Sequence, residues 1–283
     1  MRFEPFENTT NFLEDMGMFE AAVQPTQVEL SIPQLRSVLV VLDGSAQEPT
    51  AQQIGARIAK SHQVSVETMA GASAAESIIQ QARQTSASLV VIPLPFGCDA
   101  DMLHGESLGS TGDMLVAESP VPLLCVRQAM NEQQVDRALS HIMVPVAIHD
   151  QASDLAAGWA FALLASGGHL ELQAVADMSV VDEARHYLRL GETQPDAFDV
   201  DVILKNFMQD LAGLTSAVQH AGHERRLHVT VSTQTGQFVK SVVERANSQP
   251  TLLVWGMDHQ LGTPQYHRGV DLVLGSTGPV LLV

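Results

Sequence analysis

Residues 37–45 read SVLVVLDGS, an apolar run that ends in Asp43 and Gly44. A short apolar run that stops at turn residues is typical of a strand buried on both faces of a parallel sheet. A second run of the same kind, HIMVPVA, occupies residues 141–147. Because internal repeats decide the architecture of a chain, we interpret the two runs as the first strands of two copies of one α/β unit.

The segments that follow the two runs also correspond. A helical pattern covers residues 50–61 after the first run, and an apolar stripe from Leu155 to Leu163 follows the second. Both copies then end with a proline and an apolar strand, PLLCV at residues 122–126 and PVLLV at residues 279–283. Strands that alternate with helices in this way predict parallel sheets with right-handed crossovers.

The first copy is the shorter one. The second copy has a strand pattern at residues 169–177 and a long helical pattern at residues 199–222 that the first copy lacks. The strand pattern at residues 64–69 therefore matches the third strand of the second copy, at residues 227–233. We predict that the first copy has lost one strand and one helix.

Three parts of the chain follow from this alignment. Residues 1–35 form an N-terminal extension, residues 36–130 a shortened first domain and residues 131–283 a second domain, with an unpatterned polar hinge near residues 128–138. Within the extension we predict a helix at residues 11–22 and a strand at residues 27–32. Since an open sheet edge favours aggregation, the extension is expected to cover the edge or face left by the missing unit.

Composition excludes several function classes. The chain has 283 residues and a formal net charge of -17, which repels nucleic acid phosphates and anionic lipids. It has no run of about 18 apolar residues, so no membrane span is predicted, and no secretory signal is recognisable at its start. We therefore expect a cytoplasmic protein that binds neither nucleic acid nor membrane. Its two cysteines, Cys98 and Cys125, are too far apart for a CxxC pair and are expected to be reduced.

Three segments together resemble the universal stress protein family. They are LVVLDGS at residues 39–45, LGSTGDMLV at residues 108–116 and PVPLLCV at residues 120–126. The whole chain is similar to the tandem form of that family. The resemblance implies an α/β fold of two doubly wound, adenine nucleotide alpha-hydrolase-like domains with parallel strand order 3-2-1-4-5, the first one truncated. It also implies that the two domains face each other through their last strands.

The resemblance further implies an adenine nucleotide site, for ATP or AMP with Mg²⁺, in the first domain. Its candidate nucleotide-binding residues are Asp43, Gly44, Gly109, Ser110 and Thr111. Open parallel sheets bind ligands at the carboxyl ends of their strands, and glycine amides and a helix N-terminus suit phosphate. The family motif places a glycine, two residues, a second glycine and nine residues before Gly-Ser.

This sequence keeps only part of that motif. Gly109 and Ser110 fit its end, but Asp99 and Phe96 stand where the two glycines are expected. Carboxylates at Asp99, Asp101 and Glu106 would also repel phosphate unless a divalent cation lay between them. We therefore expect weak binding or none in the first domain.

The second domain departs further from the family motif. Ala147 replaces the aspartate, and Tyr266 and His267 replace Gly-Ser, so no nucleotide is expected there. Residues 274–278, LGSTG, repeat residues 108–112 letter for letter. Because the second string follows a helical pattern and precedes a proline, we interpret it as a helix end and turn.

Other motifs have simpler interpretations than catalysis or metal binding. GESLG at residues 105–109 matches the serine hydrolase elbow around Ser107, but no strand pattern precedes it, and a helix cap at Ser107 is favoured. His220, His223 and His228 cluster, which leaves a divalent metal as an alternative to solvated or capping histidines. No catalytic or metal-binding residue is assigned. Cys125 is expected in the core, and Cys98 is a redox sensor only if its pKa is lowered.

Taken together, the sequence favours a non-catalytic stress-response module, regulatory or scaffolding, that acts through protein partners and self-association. Two alternatives stay open. One is a slow nucleotide hydrolase at the first-domain site, although no Walker A lysine supports it. The other is a structural dimerisation module without any nucleotide.

Overall fold

The computed structural model describes residues 28–71, 74–96, 107–147, 150–179, 200–257 and 262–283. The first half of the chain contains strands β1 (Ser37–Leu42), β2 (Ser65–Ala70), β3 (Leu89–Pro93) and β4 (Leu123–Val126) and helices α1 (Glu48–His62), α2 (Ala75–Gln84) and α3 (Ser110–Glu118). The second half contains strands β5 (His141–Val146), β6 (His169–Asp177), β7 (His228–Gly236), β8 (Leu252–Trp255) and β9 (Val280–Leu282). Its helices, counted from the connecting segment, are α4 (Glu132–Ser140), α5 (Gln151–Leu163), α6 (Val200–Asp210), α7 (Ala212–Arg225), α8 (Phe238–Ala246) and α9 (Pro264–Gly275).

The strands described form one sheet in the order β2-β1-β3-β4-β9-β8-β5-β6-β7. The second half has the predicted 3-2-1-4-5 order, and the first half lacks the second strand, so that β2 pairs directly with β1. All pairs are parallel except β4 with β9, where Leu123 lies opposite Leu282. The two halves therefore join through their last strands, as the resemblance implies.

Helices cover both faces of this sheet. Because successive side chains of a strand point to opposite faces, Val38 and Val40 of β1 pack on one side while Leu39 and Val41 pack on the other. The first side carries α1, α4, α5, α6 and α7, and the second carries α2, α3, α8 and α9. This arrangement leaves the loops at the carboxyl ends of the strands to form binding sites.

The prediction of an unpatterned hinge near residues 128–138 was wrong for most of that segment. Residues 132–140 form α4, whose cap Asn131 accepts a hydrogen bond from Gln134 N while the Gln134 side chain accepts one from Asn131 N. Val135 and Ala138 on this helix are fully buried. Since a capping box satisfies two otherwise unpaired helix amides, it stabilises a short helix whose apolar stripe is only two residues long.

Two further expectations need correction. The long helical pattern at residues 199–222 is divided at Leu211 into α6 and α7, and its residues Leu211, Leu214 and Val218 are buried in the core. Residues 28–32 form no strand. Instead, the carbonyl of Ser31 lies against α5, where a Cβ on Gly158 would come 2.2 Å from the Ser31 oxygen.

The role proposed for the extension concerns residues that are only partly described. The helix predicted at residues 11–22 lies outside the described residues, and the described part of the extension packs on α5 of the second half. Within the described ranges, no helix combines the length and the apolar composition that crossing a bilayer requires.

Candidate functional site

The predicted nucleotide-binding residues lie at one edge of the sheet. Asp43 directly follows β1, and Gly109 precedes α3, which is the helix that follows β3. β1 and β3 are parallel neighbours, so both segments lie at the carboxyl ends of adjacent strands. This is the position at which open parallel sheets bind their ligands. Residues 97–106, which include Asp99, Asp101 and Glu106, lie outside the described residues.

The loop after β1 already uses its polar groups internally. Ser45 N donates to Asp43 Oδ1 at 3.0 Å, and Gly44 N donates to Glu48 Oε2 at 2.6 Å. Gly44 has φ +78°, and a Cβ built on it would meet nothing within 4 Å. The loop is therefore open to solvent, but the Gly44 amide is already bonded to the Glu48 carboxylate.

The start of α3 has a similar arrangement. Gly109 is its N-cap at φ +81°, without a side-chain cap, and Ser107 lies two residues earlier, so the predicted cap at Ser107 was wrong. Gly109 N donates to Ser107 Oγ at 3.0 Å, and Ser107 Oγ donates to Asp113 Oδ2 at 3.3 Å. The N-terminus of α3 suits an anion, but Asp113 in its first turn adds negative charge beside it.

The equivalent loops of the second half are closed against each other. Ala147 is buried at the position of Asp43, and Asp150 caps α5 by accepting from Ser153 N at 2.8 Å. Asp150 also accepts a hydrogen bond from Gln265 of α9. A Cβ on Gly256, after β8, would lie 1.9 Å from the carbonyl oxygen of Ala152. Side chains and backbone of this half thus fill the space between its carboxyl-end loops.

Helix α9 begins earlier, relative to the final strand, than α3 does. Its N-cap is Thr263, whose hydroxyl accepts from Tyr266 N at 3.2 Å, so Tyr266 and His267 lie inside the first turn. The buried Tyr266 hydroxyl donates to the carbonyl of Asp113 in the first half at 3.5 Å. Burial and the nearby Asp113 raise the pKa of Tyr266. This residue therefore packs the two halves together at the position where the family has Gly-Ser.

A cavity of about 620 Å³ lies beside these loops in the second half. It is bounded by the start of α5, by Glu29 and Ser31, and by Met257 and Gln265. Three carboxylates, Glu29, Asp150 and Asp154, line it. Their charge opposes the binding of a phosphate group.

Comparison with solved structures shows which proteins have a similar fold. No family sequence model matches the chain, and no curated relative matches it. Among solved structures, a universal stress protein from Archaeoglobus fulgidus is similar over 88% of this chain and 98% of its own, with a TM-score of 0.54 and 14% identity. The chain has the fold of a universal stress protein. A protein of unknown function from Pseudomonas aeruginosa is similar over 99% of this chain and 90% of its own, with a TM-score of 0.47 and 14% identity.

The repeated LGSTG string lies at the start of one helix and at the end of another. The first copy, residues 108–112, runs into the start of α3, and the second, residues 274–278, leaves the end of α9. There Thr277 N and Thr277 Oγ1 both donate to Asn247 Oδ1, at 2.8 and 2.9 Å. The prediction of a helix end and turn is confirmed.

The remaining candidates are placed as follows. Cys125 is buried, as predicted, and burial raises the pKa of its thiol, while Cys98 lies outside the described residues. His220 pairs with Glu224 on the exposed surface of α7 at 3.3 Å, and His223 lies in the last turn of that helix. In the part of the chain that the structure describes, no three His, Cys, Asp or Glu side chains are arranged to hold a metal ion.

Sequence reasoning missed one polar cluster of this chain, around Glu171. Glu171 lies in β6 with a side chain only 2% exposed, and Arg245 of α8 binds it with nitrogen-oxygen distances of 3.0 Å. Arg245 and Ser232 donate hydrogen bonds to the carboxylate, and His141 Nε2 lies 3.6 Å from it. The available signal was the glutamate within the apolar run HLELQAVAD, because a charge in a buried strand requires a partner.

Proposed function

We propose that this chain is a tandem member of the universal stress protein family that acts without catalytic turnover, as a stress-response regulatory or scaffold module. The observation that supports this most directly is the difference between the two carboxyl-end loops. The second half fills its site with Asp150 and Gln265, whereas the first half keeps an open loop at Gly44. A chain with one closed and one open site is suited to sense a ligand in one half only.

The ligand proposed for the first half is an adenine nucleotide, ATP or AMP, bound weakly and together with Mg²⁺. Asp43 ends β1 at the position from which the resemblance expects hydrogen bonds to be accepted from the nucleoside, and Gly109, Ser110 and Thr111 begin the helix proposed to face the phosphates. Glu48 occupies the Gly44 amide, and Asp113 adds negative charge at the helix start. A divalent cation between these carboxylates and the phosphates would remove the repulsion.

Isothermal titration of the full chain with ATP and with AMP, with and without Mg²⁺, tests the proposal. We expect a dissociation constant on the order of 1 mM that tightens with Mg²⁺. Asp43→Ala should abolish the heat, and Glu48→Gln should tighten binding several-fold in the absence of Mg²⁺ because it removes a negative charge beside the phosphates. Asp136→Asn, an exposed carboxylate of α4, is the control and should bind as the parent chain does.

The same samples distinguish the alternatives. Steady phosphate release from ATP that Asp43→Ala abolishes would replace the non-catalytic proposal with a slow nucleotide hydrolase. No heat at millimolar nucleotide from the parent chain or from Glu48→Gln would leave a nucleotide-free dimerisation module.

The contacts with protein partners are also a proposal, and the sheet limits where they can form. The last strands β4 and β9, through which the family pairs its domains, are already paired with each other inside the chain. A second copy or another protein therefore has to bind elsewhere. Sedimentation of the full chain across a concentration series would show whether it self-associates.

A further inference from the structure

The second half carries a cluster of partly exposed histidines around the buried Glu171 at the amino-terminal end of its sheet, far from the carboxyl-end loops. His141, His169 and His228 are in register on the adjacent strands β5, β6 and β7. His141 Nδ1 and His169 Nδ1 are 2.8 Å apart, which is a hydrogen-bonding distance between two imidazoles. Their ring centroids are 4.6 Å apart. The pair shares one proton, since only one of the two nitrogens can donate.

When both histidines are neutral, the hydrogen bonds run in one direction, from Gln249 through His141 and His169 to Thr230. Gln249 Nε2 lies 2.9 Å from His141 Nε2 and donates to it, so the His141 proton resides on Nδ1 and is donated to His169 Nδ1. His169 Nε2 then donates to Thr230 Oγ1 at 2.8 Å. Every ring nitrogen of the two histidines therefore has a partner when both are uncharged.

One added proton has a place in this network. On His141 Nε2 it would point toward Glu171 Oε2, 3.6 Å away, once the Gln249 amide turns to present its oxygen. Glu171 is negative when this proton arrives: burial raises its pKa, but the nearby His141, the hydrogen bonds from Arg245 and Ser232 and the charge of Arg245 lower it to about 2. A singly charged pair is thus compatible with the folded structure.

A second proton has no such place. It would put hydrogens on both Nδ1 atoms, which are 2.8 Å apart, and would replace their hydrogen bond with contact between two cations. We propose that the His141–His169 pair is a proton-operated switch that stays closed with one added proton and opens the amino-terminal end of the β5–β6 pair when it takes a second.

The charged groups around His169 support this order of events. On the facing elements these groups are His141 of β5, Glu171 of β6 itself, His228 of β7 and Arg245 of α8. Burial lowers the pKa of His169, His141 lowers it further, Glu171 opposes the change, and His228 and Arg245 add to the lowering. The unfolded chain therefore takes up this proton first, so the contribution of a neutral His169 to stability is present above about pH 6.5 and is lost as the pH falls below it.

The test combines two measurements on the full chain. Imidazole proton NMR from pH 8 to pH 5 should show the histidine pair taking up its two protons in two separate steps, with faster amide exchange at residues 141–143 and 169–171 accompanying the second step only. Urea unfolding should show a larger unfolding equilibrium constant at pH 5.5 than at pH 7.5. His169 should contribute at most about a tenfold increase in that constant for each pH unit below its ordinary pKa.

Variants assign the effect to the pair. His169→Gln should remove most of that pH dependence, while the control His220→Gln, an exposed histidine of α7, should keep it. A single titration step for both imidazoles, or an unchanged pH dependence in His169→Gln, would overturn the proposal. Should His169→Gln fail to fold, the NMR titration of the parent chain decides by itself.

Discussion

The two halves of this chain treat the same two ends of a parallel sheet differently. At the carboxyl ends, the first half has Asp43 and an open Gly44 loop, whereas the second half has a buried Ala147 and a contact between Asp150 and Gln265. At the amino-terminal ends, the first half uses serine hydroxyls, with Ser88 Oγ donating to the carbonyl of Ser37 at 3.0 Å. The second half uses His141, His169 and the buried Glu171 instead.

The two halves thus differ in their loops although they share the strand order around them. The half with fewer strands has the open loop at Gly44, and the other half closes its loops with side chains and holds a buried carboxylate, Glu171. Fold and site are thus separable, since both halves share the strand order around β1 and β5 while only one retains Asp43.

The largest effect should come from a methyl group in the closed loop. We expect Gly256→Ala to lower the free energy of unfolding by about 3 kcal/mol, because its Cβ would overlap the carbonyl oxygen of Ala152 and neither backbone can yield easily. The matched change in the open loop, Gly44→Ala, should cost about 1 kcal/mol, since only its positive φ opposes a side chain. Urea unfolding of both variants measures the difference, and equal losses would show that the two loops are alike.

The second effect concerns the buried charge at the other end of the sheet. Glu171→Gln should cost about 3 kcal/mol at pH 7, because the carboxylate has a pKa of about 2 in the folded chain and an ordinary value when unfolded. The sign follows from that lowering: the stabilisation is present above about pH 4.5 and is lost as the pH falls toward 2.

Acid unfolding curves check this second prediction. The parent chain should lose stability between pH 4.5 and 2, and Glu171→Gln should lose less over the same range. The control Asp136→Asn breaks an exposed ion pair with Arg57 and should cost less than about 0.5 kcal/mol. A loss in Glu171→Gln as small as in this control would mean that the cluster contributes nothing to stability.

The sequence predicted the strands of the sheet because apolar runs such as residues 37–42 depend on local composition alone, whereas their order followed from the family resemblance and not from that composition. It missed α4, whose capping box at Asn131 and Gln134 stabilises a helix with little apolar pattern. The cluster around Glu171 was also missed, because its partners come from other strands and from α8, and only the register of the sheet brings them together. Likewise, the sequence located Asp43 but could not show that Glu48 occupies the neighbouring amide.

The third prediction concerns a substitution that gives the second half the aspartate of the first. Ala147→Asp restores the family carboxylate in the second half, and we expect no nucleotide binding by titration, because Asp150 and Gln265 still close the loop. The new carboxylate would be buried at a position that is 7% exposed, so the free energy of unfolding should fall by about 2 kcal/mol. The control Ala46→Asp, on the exposed first loop, should change it by less than about 0.5 kcal/mol. Millimolar ATP binding by Ala147→Asp would show that one side chain separates the two halves.

The smallest effect tests the repeated LGSTG string. Asn247→Ala removes the acceptor of Thr277 N and Thr277 Oγ1 and the donor to the Gly275 carbonyl, and we expect a loss of about 1 kcal/mol because these groups are exposed enough to bind water instead. Thr277→Ala should cost less, since the hydrogen bond from the backbone N of residue 277 to Asn247 Oδ1 remains. The same five letters begin a helix at residues 108–112 and end one at residues 274–278, so the letters alone do not set the conformation. If Asn247→Ala unfolds at the same urea concentration as the parent chain, the second string forms its turn without that partner, and Pro279 rather than Asn247 ends the helix.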